Sequence, residues 1–256
     1  MFRFVCVVRK MKSQVSISSL RKKPLMQANV LTQARDGLTR DQRRIFYLCL
    51  DHIAVTGWPS DGVFTIDHSL YSTVYKLSEK EAREDIRRAM AEFRGRELTL
   101  YESWDDGESE PVIRDIAWTT SRWRSEKRGL YRLKINSDLR EFMEPLANEL
   151  PFTAWQLEQV AAMPSRYSQK LFEALSQFRS TGFWAVNLSV LKQRWDLPDS
   201  YEKFSLLKAR VIDPAMSDVK KMNGFETLTL TLRREGNAKT GKVTSIAFSF
   251  TPQERA

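Results

Sequence analysis

Cysteine and histidine are nearly absent from this 256-residue chain, which has only Cys6, Cys49, His52 and His68. Two cysteines support neither a disulfide framework nor a cysteine-rich zinc site, and their scarcity fits a reducing compartment. The histidines stand sixteen positions apart. They lack the closely spaced His-apolar-His arrangement with which DNA-nicking enzymes hold a metal beside a nucleophilic tyrosine. His52 is therefore read as a helix-surface residue, and no metal, cofactor or catalytic residue is expected. Long apolar runs are missing as well. No window approaches the roughly 18 apolar residues of a membrane span. The apolar start MFRFVCVV is too short and too interrupted for a signal peptide. The expectation is a soluble cytoplasmic protein without a membrane partner, with Met11 an alternative start to Met1.

Acidic residues are scarce only at one end. Residues 1–36 carry eight Lys or Arg against Asp36 alone, so +7 of the total +9 lies there and the rest of the chain is nearly balanced. That segment is read as a basic, flexible extension. The remainder, in a chain 42% apolar, is long enough for one large domain or two ordinary ones. The charge points to a polyanionic partner, but any nucleic-acid surface on the folded body must be a local patch.

Such a patch is written into SEKEAREDIRRAMAEFR, Ser78 to Arg94. At about 100° per residue, Ala82, Ile86, Ala89 and Phe93 form an apolar stripe. Glu81, Asp85 and Glu92 form an acidic stripe, and Lys80, Arg83, Arg87 and Arg94 a cationic one. Ser78 and Glu81 make a capping box that starts the helix. With a short helix over Asp67 to Leu77 before it, the pair has the outline of a helix-turn-helix. The competing reading is a helix whose charges merely face water.

The element order repeats. Thr39 and Gln42 cap a helix from Arg40 to about Val55, VFTID is a strand, and the helix pair follows. Glu97 to Glu102 and Pro111 to Trp118 then make a hairpin around DDGESE. A third strand, Gly129 to Asn136, comes after the basic stretch RWRSEKR. In the second half a helix over Ser165 to Arg179 precedes a strand at Phe183 to Leu188 and a helix at Ser189 to Trp195. Ser200 or Asp199 caps a longer helix to about Val211, which Pro214 should bend or end. Two strictly alternating strands close the chain around EGNAKTG. The pattern predicts an α+β fold of two tandem winged-helix domains, residues 37–147 and 148–256, related by internal pseudo-twofold symmetry. A duplicated winged helix suits a protein that reads two adjacent stretches of DNA.

Gly236, Gly241 and Lys242 match most of a phosphate-binding loop. A working loop needs a following helix and a Ser or Thr after the lysine, whereas Val243 and strand-like sequence stand here. Lys239 and Lys242 are therefore read as a cationic wing tip. In the longer helix of the second half, Ser200, Lys203, Ser205, Leu206, Lys208 and Arg210 lie outside the apolar stripe of Phe204, Leu207 and Val211. Cations there can reach phosphates and guanine edges, and Leu206 a thymine methyl. A partly exposed surface helix is the bland alternative. Trp155, Trp184 and Trp195 are read as core residues rather than base-stacking platforms.

Five blocks taken together resemble the replication initiators of iteron-bearing bacterial plasmids, a family that includes the initiator of the F plasmid. They are LTRDQRRIFYLCLDHI, LSEKEAREDIRRAMAEFRGRELTLY, RGLYRLKIN, YSQKLFEALSQFR and LPDSYEKFSLLKARVIDPA. The resemblance spans residues 37 to 251. It implies that the second domain reads a directly repeated origin element through Ser200 to Val211. It implies too that the first domain contacts the neighbouring groove with Glu79 to Arg94 and supplies a dimer interface. Monomers on origin repeats, dimers repressing their own gene from an inverted repeat, and a host initiator ATPase and replicative helicase as partners are also implied. Leu206 and Ala209 depart from the F-plasmid pattern, which is polar or charged there, so a different base preference is expected. Alternatives are a plain winged-helix transcription regulator, a rolling-circle nickase, and a structural dimer with solvated basic faces.

Overall fold

A computed structural model describes residues 23–102, 112–125, 129–237 and 240–253. The chain enters the fold earlier than its charge boundary suggests. Strand β1 (Leu25–Ala28) pairs antiparallel with β7 (Phe152–Trp155), and helix α1 (Asn29–Gln33) follows it. Leu25, Ala28, Leu31 and Ala34 are buried, and Asp36 is too. The expected extension over residues 1–36 is thus corrected: from about Lys23 onward this segment is fold, held by apolar burial that its positive charge concealed.

The first winged helix opens with α2 (Arg40–Thr56), whose Thr39–Gln42 capping box is formed as expected. Ile45 and Cys49 are in the core, while His52 lies at the surface with its ring edge-on to Phe64. After β2 (Val63–Asp67), the Asp67 carboxylate caps α3 (His68–Tyr75). Lys76, at φ 52°, turns the chain toward α4 (Glu79–Glu92). Two hairpins follow: β3 (Glu97–Glu102) with β4 (Val112–Ala117), then β5 (Thr119–Ser125) with β6 (Leu130–Ile135). β6 pairs with both β2 and β5, giving the order β2–β6–β5. The wing of this domain is therefore β5–β6. β3–β4 is a separate hairpin, tied at Thr99 to the backbone of Arg35. In the sequence, β3 and β4 stand out as the hairpin of this domain, and the second half of β5 as part of the basic stretch RWRSEKR. β5 has no fully buried residue, so its ladder to β6 rather than a core-facing alternation makes it a strand.

A short helix α5 (Arg140–Met143), β7 and α6 (Leu157–Ala161) lead into the second winged helix. It comprises α7 (Arg166–Gln177), β8 (Phe183–Asn187), α8 (Leu188–Arg194), a long helix, β9 (Thr229–Glu235) and β10 (Lys242–Ser249). Its sheet order β8–β10–β9 reproduces that of the first domain, with the last strand between the other two. The long helix is built in three pieces: α9 (Phe204–Leu207), a π turn over Lys208–Ile212, and α10 (Asp213–Val219). Neither Ser200 nor Asp199 caps it. Asp199–Tyr201 forms a separate 3-10 turn, and Lys203 takes the extended position before α9. Nor does Pro214 end it. Proline cannot donate the bond an α-turn would direct to the Arg210 carbonyl, and the wide turn just before it absorbs the missing bond.

Trp118, Trp155, Trp184 and Trp195 are all buried, as expected of the last three, and Trp184 stacks on Phe248 of the central strand. Among the described residues no helix is long and apolar enough to cross a membrane.

Candidate nucleic-acid interface

The three faces expected of α4 are each put to a different use. Ala82, Ile86, Ala89 and Phe93 are buried against the core. The acidic face is occupied within the protein. Glu81 completes the capping box with Ser78, Glu92 accepts from the Thr39 hydroxyl at 3.1 Å, and Asp85 is buried. Asp85 lies 3.1 Å from Arg44 of α2 and 2.7 Å from Arg88, which also bonds Asp41 of α2 at 2.6 Å. Burial, with Asp41 beside it, holds the Asp85 carboxyl above its usual value. For Asp41, burial would do the same, but hydrogen bonds from Arg40 and Arg88 outweigh it and bring its value down. This ionic seam clamps α4 to α2. Its members Asp41, Arg44 and Arg88 were not singled out in the sequence, where Arg88 looks like one more surface cation.

The cationic face remains. Lys80, Arg87 and Arg94 are exposed, and among the described residues no ion pair or hydrogen bond ties their side chains. Arg83 is different: it bonds the His68 ring at 2.8 Å and lies 3.6 Å from Glu79, beside Gly129 at the base of the wing. It links α3, α4 and the wing, and is only partly available to a ligand.

In the second domain Leu207 and Val211 are buried and Phe204 packs on the core, as the apolar stripe requires. Ser200, Lys203, Ser205 and Arg210 are exposed, and Leu206 is half-buried. Lys208 is occupied: its Nζ lies 2.7 Å from both carboxylate oxygens of Asp213. Lys242 is exposed at the start of β10, and Lys239 lies outside the described residues. A Cβ at Gly241 would collide with the carbonyls of Glu235 and Asn237, so this glycine serves the hairpin turn. Strands flank that turn on both sides, unlike a nucleotide-binding loop. Among the described residues there is no group of three His, Cys, Asp or Glu side chains able to hold a metal ion.

Two successive winged helices, each with a helix that buries its apolar side and exposes cations without a partner among the described residues, define a tandem winged-helix protein of the DNA-reading class. Residues 24–176 match the family model described as Initiator Replication protein, WH1, and residues 187–250 match Initiator Rep protein, WH2. The chain belongs to this family of replication initiators. It is 26% identical over 213 residues to an uncharacterized 27.6 kDa protein of Escherichia coli, covering 78% of this chain and 85% of that protein. Its fold is similar to that of the Pi initiator protein, crystallised in complex with iteron DNA. There the TM-score is 0.72 at 19% identity, over 92% of this chain and 99% of the other.

Proposed function

We propose that this initiator binds directly repeated origin DNA as a monomer, each copy covering two successive grooves of a repeat. The observation that carries this reading is the set of exposed cations, without a partner among the described residues, on or beside corresponding helices of a duplicated fold: Lys80, Arg87 and Arg94 at one, Lys203 and Arg210 at the other. In this reading the first domain, up to residue 147, holds phosphates, and the second, from residue 148, discriminates bases. Lys242 and Lys239 contact the backbone from the second wing, and Arg83 and Lys208 contribute less because each already has a partner. The chemistry is recognition without catalysis: affinity from phosphate neutralisation that falls with salt, and specificity from base-edge contacts. The overlay with the Pi initiator supports the geometry, since one superposition takes in both domains.

A dimer on an inverted repeat, repressing the protein's own gene, is the companion proposal. Among the described residues β4 has only β3 as a neighbour, and Tyr101 and Ile113 lie opposite each other and exposed on that hairpin. An unpaired edge beside apolar side chains suits pairing with a second copy. The host initiator ATPase and replicative helicase enter as partners through the family relationship.

The deciding experiment is a gel-shift titration against the DNA flanking the gene, with a scrambled duplex of equal length. Direct repeats of about 20 base pairs, two helical turns, should bind far more tightly than the scramble. Equal affinity for both would overturn the reading. Binding to a single operator with no repeats nearby would favour a plain transcription regulator.

A further inference from the structure

Away from both exposed helices, five polar side chains converge in the seam between the two domains. Arg43 and Tyr47 lie one turn apart on α2, Lys170 and Glu173 one turn apart on α7, and Asp36 sits just before α2. None is more than 5% exposed. Arg43 reaches both carboxylates, pairing with Asp36 through one Nη and with Glu173 at 2.5 Å through the other. The Tyr47 hydroxyl donates to Glu173 at 2.7 Å. Lys170 Nζ lies 3.0 Å from Asp36 and donates to the Arg194 carbonyl at 2.9 Å, anchoring the cluster to α8. Asp36 is itself fixed, its carboxylate accepting from the Leu38 amide and its carbonyl from the Trp118 indole.

Stability alone does not account for such a group. Two cations and two carboxylates must be stripped of water, and apolar residues of similar volume commonly hold a seam as well or better. What an apolar seam lacks is direction. An apolar contact between two helices tolerates sliding and rotation, whereas these bonds are all made in one relative placement of α2 and α7. The two helices are the first helices of their respective winged helices, so their placement sets that of the DNA-facing helices.

We propose that the Asp36–Arg43–Tyr47–Lys170–Glu173 cluster is a positioning device that fixes one winged helix against the other and thereby the spacing at which the two DNA contacts fall. This rests on the two-groove reading above. One base pair inserted between the half-sites turns the second by about 34° and moves it about 3.4 Å. A locked pair of domains cannot follow that change without losing contacts.

The test variant is D36N/R43M/K170M/E173Q. It removes both ion pairs that cross between the domains, Arg43–Glu173 and Asp36–Lys170, leaves the cluster neutral, and retains at position 173 an acceptor for Tyr47. Wild type and variant are each used to enrich binding sites from random-sequence duplexes, and the separation between the two enriched half-motifs is read. Wild type should give one separation, and an inserted base pair should weaken its binding by about tenfold or more. The variant should enrich the same half-motifs over a range of separations, with a penalty below about threefold for the insertion. A variant that folds and keeps the single wild-type separation overturns the proposal. If that variant does not fold, R43M/E173Q and D36N/K170M, which each remove one of the two pairs, are compared with wild type, and an insertion penalty as large as that of wild type in both overturns the proposal. Failure of wild type to enrich any paired motif would instead sink the two-groove reading itself.

Discussion

Lys208 and Asp213 stand five residues apart yet share one face of the long helix, their charged groups 2.7 Å apart. In a regular α-helix positions i and i+5 point about 140° apart. The π turn between them, with its i→i+5 bonding, brings them nearly into line. One of the cations offered by this helix is therefore neutralised before DNA arrives.

Lys208→Ala should accordingly lower affinity less than Arg210→Ala, whose side chain has no such partner. The expected cost for Arg210→Ala is about 1–3 kcal/mol of discrimination if it meets a base edge. Asp213→Ala, which releases Lys208, should tighten binding to cognate and scrambled DNA alike. Gel-shift titrations of the three variants read this directly, and equal losses for both cations would remove the pairing from the account.

Arg87 and Lys203 should separate by salt and by sequence. Arg87→Ala is expected to weaken cognate and scrambled duplexes equally and to make the log–log salt dependence shallower by about 0.9. Lys203→Ala should reduce the ratio between the two duplexes. An unchanged ratio for Lys203→Ala would take that residue out of the recognition set.

Truncation has a sharp limit. Removing residues 1–22 should leave the melting temperature unchanged and lower mainly non-specific DNA affinity. Removing residues 1–30 also takes β1, with Leu25 and Ala28 from the core and the ladder to β7. That deletion should lower the melting temperature by roughly 5–10 °C. Thermal melts of the two truncations compare them, and similar melting temperatures would contradict the assignment of residues 23–36 to the fold.

The seam cluster carries a pH signature. Burial would raise the Asp36 carboxyl, but Lys170 and Arg43 outweigh it and hold it below its ordinary 3.8. A depressed acid contributes stability that is complete above the unfolded value and is lost as pH falls through the lower folded one. The stability advantage of wild type over Asp36→Asn should therefore be constant from pH 7 to about 5 and shrink below about 4. Denaturant unfolding of both proteins across that range measures it. An advantage that grew on acidification would have the wrong sign.

Much of this was legible in the sequence because it is local. The Thr39–Gln42 and Ser78–Glu81 boxes are four-residue patterns, and the apolar stripe of α4 repeats at helical spacing; both are found where the residues place them. The duplicated strand and helix order is equally a matter of neighbouring segments. Much of what escaped depends on partners far along the chain: β1 is a strand because β7 lies 124 residues beyond its end. β5 pairs with the neighbouring β6 but has no core-facing alternation to announce it. Arg43 and Glu173 meet across 130 positions, a distance at which no periodicity signals contact. The π turn had a local cue in Pro214, but the cue pointed equally to a break, and only packing on both sides decides for continuity. Arg83 and Lys208 were legible as cations, while their occupancy by His68, Glu79 and Asp213 needed coordinates.

The β1–β7 ladder joins the first strand of the described residues to the segment connecting the two winged helices. A connector held in this way is no slack tether. Peeling it loose exposes the core beneath α1 and α2, and peeling away β1 strips the connector of its hydrogen bonds. The two halves should consequently melt as one cooperative unit, with calorimetric and van't Hoff enthalpies in agreement, although each repeats the same architecture.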